Sequence, residues 1–261
     1  MAWETDGPVT LRRTGGTAIV CLNRPQQRNA LDPALRSALS QAIGEVRGDA
    51  GVRALVLTGA GGHFCAGGDI RSGVQTRGDV FEGRERMQRS HRWLEDLADL
   101  EKPVIAAVDG SAFGAGLSLA LAADFILASR RARFCSAFVR LGYVPDLGAM
   151  YLLPRAVGLA RAKDLVFTGR VVEAAEAQAI GLVQQVVEGD VLEHAMAFAR
   201  RFEAAPRASL GMAKSVLNQA LESDRRTVLG LEAMAQAICR ESAFHQEAVR
   251  RFLAREPAVY P

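Results

Sequence analysis

The stretch Lys102–Ser129, "KPVIAAVDGSAFGAGLSLALAADFILAS", decides how this chain is to be read. Val104–Val108 is apolar and β-branched at its ends, which predicts a strand. A glycine-rich turn follows, then the short apolar helix "GLSLALAA", then a second strand in "FILAS". Strand, helix and strand with no polar face imply a βαβ unit buried on both sides. Phe113–Ala128 is the most apolar stretch of the chain. It is short for a membrane span, contains Asp124 and opens on glycines, so a membrane helix is not expected.

Working outward, the same alternation recurs. Thr17–Asn23 and Ala54–Gly59 predict strands. Between them Asp32 is placed to cap a helix and Pro33 to start it, with Leu35, Leu39, Ala42, Ile43 and Val46 at helical spacing. A polar helix is predicted over Gly83–Leu100. Its arginines, Arg84, Arg86, Arg89 and Arg92, alternate with Glu82 and Glu85 and read as a solvated face. Beyond Val187 only helices are expected: Val191–Ala204, Ala208–Glu222, Arg225–Arg240 and Phe244–Arg255. The division expected is an α/β core over 1–200 and a helical region over 201–261.

Composition excludes several functions. The 261 residues carry a net charge of +3, too small to argue for nucleic acid. Cys21, Cys65, Cys135 and Cys239 form no C-x-x-C pair and read as packing residues in a reducing compartment. No pair among His63, His91, His194 and His245 has metal-ligand spacing, so no metal is expected. The start lacks the pattern of a signal peptide, and a cytoplasmic location is expected.

Three stretches are candidates for chemistry. "GAGGHFCAGGDI" (Gly59–Ile70) has five glycines in ten residues directly after a strand, letting backbone approach a ligand closely. Asp69 stands ready there to cap a helix or hold an amide. "DGSAFGAGLSLALAAD" (Asp109–Asp124) points free N–H groups from a turn between strand and helix. Its Gly114-Ala115-Gly116 only loosely matches a dinucleotide fingerprint, with no acidic residue some twenty positions on. One N–H from each loop aimed at a single oxygen would make an oxyanion hole. The third stretch is "YVPDLG" (Tyr143–Gly148). Proline and glycine fix the backbone around Asp146, and an apolar setting would raise its pKa toward general-base range.

These stretches in this order resemble the crotonase superfamily, the enoyl-CoA hydratase/isomerase family. The likeness runs from "LNRPQQRNALD" through "RLGYVPDLGAMYLLPRAVGLARAKDLVFTGRVVEAAEAQAIGLVQQVV" to the helical tail. The resemblance implies an α/β spiral of ββα units with two roughly perpendicular sheets, plus a C-terminal helical region that forms a homotrimer or a dimer of trimers. It implies an acyl-CoA thioester as substrate, so that CoA is part of the substrate and no separate cofactor is needed. Its carbonyl oxygen would meet the amides of Gly68 and Ala115. CoA would lie along Ala30, Leu31, Ala66, Asp69 and Ile70. Phe244 stands where a neighbouring subunit can complete the CoA site, although the usual lysine near the end is replaced by Ala254-Arg255-Glu256.

The chain also departs from that pattern. Hydratases of the family use two glutamates, and those positions here look like Ser118 and Phe138. Asp146 instead resembles the base of the isomerase branch typified by the ring-opening isomerases of phenylacetate breakdown. The resemblance therefore implies an isomerase with weak hydratase activity. A hydrolytic aryl-CoA dehalogenase pairs an Asp at this position with a histidine where His91 stands, but with a tryptophan where Phe138 stands. His91 would serve only if it faces the core. An enoyl-CoA hydratase and a non-catalytic acyl-CoA binder complete the alternatives. The acyl chain would be lined by "RSGVQTRGDVFEGRERMQ" (71–88) and the tail.

Overall fold

A computed structural model describes residues 6–71 and 79–260. Its larger sheet has the order β1 (Val9–Thr14), β2 (Thr17–Leu22), β3 (Ala54–Gly59), β4 (Val104–Val108), β6 (Phe125–Ser129) and β9 (Gln185–Val187). Only the β1–β2 hairpin is antiparallel; the remaining neighbours run parallel. A second sheet joins β5 (Ser111–Phe113), β7 (Arg133–Cys135) and β8 (Val171–Glu173).

The larger sheet is covered on both faces, which is why its strands read as apolar runs rather than alternating ones. Period-2 geometry divides each strand between two cores. Ala18, Val20, Leu55, Leu57 and Ala106 face the side of α1 (Pro33–Gly48), whose Leu35, Leu39, Ala42, Ile43 and Val46 are buried as the spacing predicts. Asp32 caps this helix by accepting from the Leu35 N–H at 2.8 Å. Ile19, Val56, Ile105 and Leu127 face the other way, against Ala195 and Ala199 of α7 (Val191–Arg200).

The polar helix α2 spans Val80–Ala98, three residues ahead of the expected start, because Asp79 caps it through the Glu82 N–H at 2.9 Å. Residues 72–78, part of the stretch expected to line the acyl chain, lie outside the described residues. The short apolar helix α3 (Ala115–Leu121) is buried along its whole length. After it come α4 (Ala149–Val157), α5 (Leu159–Thr168) and α6 (Ala174–Ala179). Helix α7 ends at Arg200, short of the expected Ala204.

The tail holds α8 (Arg207–Gln219), α9 (Arg225–Arg240) and α10 (Ala243–Ala254). Lys214 on α8 ties it to the core. Its Nζ lies 2.8 Å from Asp124 Oδ2, which also accepts from the Val104 N–H at 2.7 Å. No residue of α9 or α10 is buried, while Leu229, Ile238, Phe252 and Leu253 are exposed.

Candidate active site

The two glycine loops are locked together through their backbones. Cys65 N–H donates to Ser111 O at 2.8 Å and Phe113 N–H donates to Cys65 O at 3.0 Å. A side-chain carbon built on Gly67, where φ is +103°, would stand 2.8 Å from Phe113 O and 3.5 Å from Ala115 N. One on Gly116 would collide with the Cys65 carbonyl and stand 2.8 Å from the Cys65 Cβ. Only glycine lets the first loop and the start of α3 approach this closely. The Cys65 thiol, pushed up to about 12 by burial, donates to Asn29 O at 3.1 Å and is a neutral packing group.

The "RNALD" segment braces the first loop. Asn29 Nδ2 donates to Ala60 O and His63 O, at 2.9 and 2.6 Å, while Asn29 Oδ1 accepts from the Arg24 N–H at 2.9 Å. Leu31 N–H donates to Gly67 O at 2.7 Å, and Leu31 O accepts from the Asp69 N–H at 3.1 Å. These contacts leave the Gly68 and Ala115 N–H groups without a protein acceptor among the described residues. Ala115 opens α3, so its N–H has no partner within the helix.

The structure shows what engages the residues expected along CoA. The Leu31 side chain is in the core, at 1% exposure. Ala30 is buried too, and its carbonyl accepts from Arg24 Nη1 at 2.6 Å. The Asp69 carboxylate accepts from Arg24 Nη1 and Nη2, at 3.1 and 3.2 Å, and from the Arg71 N–H at 3.2 Å. It is held by the protein itself. Ala66 is half-buried, and Ile70 is exposed at the rim. Phe244 lines a groove between tail helices with Met212 and Val216, apart from the residues around Asp146.

Asp146 faces the α3 end of the loops. Ser118 on α3 is fully buried, and its Oγ donates to the Asp146 carbonyl at 2.9 Å. This bond fixes the backbone that carries the acid. The carboxylate is held only in part, by a hydrogen bond from its own backbone N–H. Its Oδ1 is buried and meets no donor among the described residues. Burial raises the Asp146 pKa above the ordinary carboxylate range, with neighbouring Arg36 and His91 and a hydrogen bond from its own backbone N–H opposing the rise. A buried carboxylate oxygen with no donor of its own suits a proton-transfer base.

Phe138 is buried, with its ring tip 3.9 Å from the position a side-chain carbon on Gly114 would take. It therefore walls the second loop. His91 is exposed and does not face the core; the inward positions of α2 are Ser90, Trp93, Leu94 and Leu97. His91 lies about 100° of helix rotation from Ser90 and about 60° from Leu94, so it flanks the inward face at its exposed edge, near enough to interact electrostatically with Asp146. The arginines of α2 are exposed, as a solvated face would be.

Sequence reasoning missed Arg36. It lies in the first turn of α1, on the flank of the apolar stripe, three residues before the buried Leu39. That spacing is the signal that turns it inward.

Comparison with known proteins agrees with this architecture. The enoyl-CoA hydratase/isomerase family matches residues 12–261. A 1,2-epoxyphenylacetyl-CoA isomerase of Escherichia coli (strain K12) is 38% identical over 243 residues, covering 92% of this chain and 93% of the relative. A short-chain-enoyl-CoA hydratase of Clostridium acetobutylicum is 35% identical over 249 residues, covering 95% of each. The crystal structure of an enoyl-CoA hydratase/isomerase from Cupriavidus metallidurans CH34 superposes with a TM-score of 0.92 at 39% identity, covering 100% of this chain and 97% of that one. With two interlocked glycine loops on a shared fold and a match over nearly its whole length, this chain belongs to the enoyl-CoA hydratase/isomerase family of the crotonase superfamily.

Proposed function

We propose that the chain is an acyl-CoA isomerase that moves a double bond from the β,γ to the α,β position, with Asp146 as its base. The observation that carries this reading is the unpartnered, buried Oδ1 of Asp146, on a loop fixed by Ser118. The thioester carbonyl oxygen accepts from the Gly68 and Ala115 amides. Asp146 takes the α proton, the negative charge spreads onto the thioester oxygen as a dienolate, and the protonated acid returns the proton at the γ carbon. Fixed N–H donors stabilise that charge without reorganising. One carboxylate completes the cycle, because the same group is base and then acid.

Hydration is the second reading, favoured by relatives named as hydratases. Against it, the Ser118 hydroxyl is engaged with Asp146 O, and Phe138 is a hydrocarbon wall. Neither can activate water as a carboxylate does. Parallel assays with trans-3-hexenoyl-CoA and crotonyl-CoA separate the two. Isomerisation faster than hydration by about 100-fold is expected, on the scale of one general-base contribution. Hydration as fast as isomerisation would sink the reading.

CoA is proposed to run past Ala66 and Ile70, with Ala30, Leu31 and Asp69 shaping the channel through their bonds to the loop. The exposed apolar faces of α9 and α10 support assembly as a homotrimer or a dimer of trimers, with Phe244 offered to a neighbour's CoA. A monomeric mass by light scattering would contradict that assembly.

A further inference from the structure

The first glycine loop meets the chain ahead of α1 in a short parallel bridge, Leu31 opposite Gly68. Leu31 N–H donates to Gly67 O at 2.7 Å, and the Asp69 N–H donates to Leu31 O at 3.1 Å. A trans peptide is planar, with its N–H opposed to its C=O. The Gly67 carbonyl points at Leu31, so the Gly68 N–H on the same peptide points away from it. The aim of that donor is therefore set by where Leu31 sits. The same bond polarises the peptide and strengthens its N–H as a donor.

One side chain grips both halves of the bridge. Arg24 Nη1 donates to Ala30 O at 2.6 Å, and Arg24 Nη2 lies 3.2 Å from Asp32 Oδ2. Both nitrogens reach Asp69 Oδ2, at 3.1 and 3.2 Å. Ala30 and Asp32 flank Leu31, and Asp69 follows Gly68. The guanidinium and both carboxylates are largely buried, so solvent screens these contacts less than it screens surface pairs. The turn between Arg24 and Ala30 is held to suit. Arg28 and Asn29 both take left-handed φ, +49° and +58°. Asn29 closes the turn, its Oδ1 accepting from the Arg24 N–H and its own N–H donating to Arg24 O, each at 2.9 Å. Non-glycine residues keep such a conformation where their surroundings over-determine it. A planar fork of fixed donors suits this three-way grip, and the point charge of a lysine does not.

We propose that Arg24 is a positioning residue. Through Ala30, Asp32 and Asp69 it fixes the Leu31–Gly68 bridge that aims the Gly68 N–H at the thioester oxygen. The inference rests on the proposed seat of that oxygen, and not on the isomerase chemistry or on Asp146. Polarisation of the bound thioester, rather than affinity for it, should then depend on Arg24.

Infrared spectroscopy tests this with butyryl-CoA labelled with heavy carbon at the thioester carbonyl, a saturated ligand with no double bond to move. In the wild type the bound carbonyl stretch should fall below its free value, because the Gly68 and Ala115 amides draw charge onto the oxygen. Arg24→Met should return the stretch most of the way to the free value, with calorimetric affinity within about threefold of wild type. Arg24→Lys should recover stability to denaturant but not the shift. Asp69→Asn keeps the shape of the acid, removes its charge and should lose part of the shift; it carries the test if the Arg24 variants do not fold. Asp146→Asn should keep the full shift, so a failure of the isomerase assay alone leaves the inference standing. A full shift retained in Arg24→Met, or in Asp69→Asn, would overturn it. So would a joint loss of shift, affinity and stability in both variants, which would make Arg24 a general support of the fold. No shift in the wild type would overturn it together with the proposed seat of the oxygen.

Discussion

The two sides of this site are built from different materials. The side holding Gly68 and Ala115 is backbone, braced by glycines that admit no side chain and by Asn29 and Leu31. The side holding Asp146 is made of side chains: the acid, Arg36 whose charge acts on it, and Ser118 whose hydroxyl holds its carbonyl. Backbone donors serve any reaction that builds charge on a thioester oxygen, so that side is indifferent to what happens at the acyl chain. The side-chain half sets which proton moves. A family whose relatives carry both isomerase and hydratase names is what such a division allows.

The sharpest way to break the backbone half is Gly68→Pro, which deletes one N–H that has no protein acceptor. Turnover should fall about 10²–10³-fold, while affinity for an unreactive acyl-CoA changes far less. A matched fall in both would mean that the amide only binds. Next in size is Gly116→Ala. Its new Cβ meets the Cys65 carbonyl and Cβ, and overpacking of this kind costs about 3 kcal/mol. Denaturant titration should read that loss, and an unchanged midpoint would show that the loops can part.

On the side-chain half the smallest change is Ser118→Ala. It removes the Ser118 bond to Asp146 O and leaves that carbonyl only the Ala149 N–H, at 3.1 Å, to hold it. The expected result is a kcat lower by about tenfold with KM held, since the base is aligned less well while binding groups are untouched. A rise in KM with kcat unchanged would assign Ser118 to binding instead.

The sequence made the backbone half legible and only part of the other. Glycine density after a strand is a local signal, and both loops follow from it. The buried strands β2, β3, β4 and β6 are readable because covered strands are continuous apolar runs. The three-residue strands β5, β7, β8 and β9 are too short to carry a pattern, and β1 lies before the first apolar run. Asp146 stands out between Pro145 and Gly148, but its partners come from distant helices. Arg36 looks like any first-turn arginine until the face of α1 is counted, and Ser118 looks like a small packing residue. His91 is off the inward face by a single helical position, a difference within the error of reading a boundary.

The central claim is that one carboxylate, Asp146, moves the proton. It is tested most directly by following formation of the conjugated thioester from trans-3-hexenoyl-CoA, with wild type and Asp146→Asn, across pH. The account predicts a fall of about 10³-fold in Asp146→Asn. In the wild type, the base must be ionised, so activity declines as pH falls through its pKa. Burial raises that pKa, which places the acid limb above the ordinary carboxylate value of about 4. Full turnover in Asp146→Asn, with the wild-type acid limb intact, would contradict the account and assign the proton to another group.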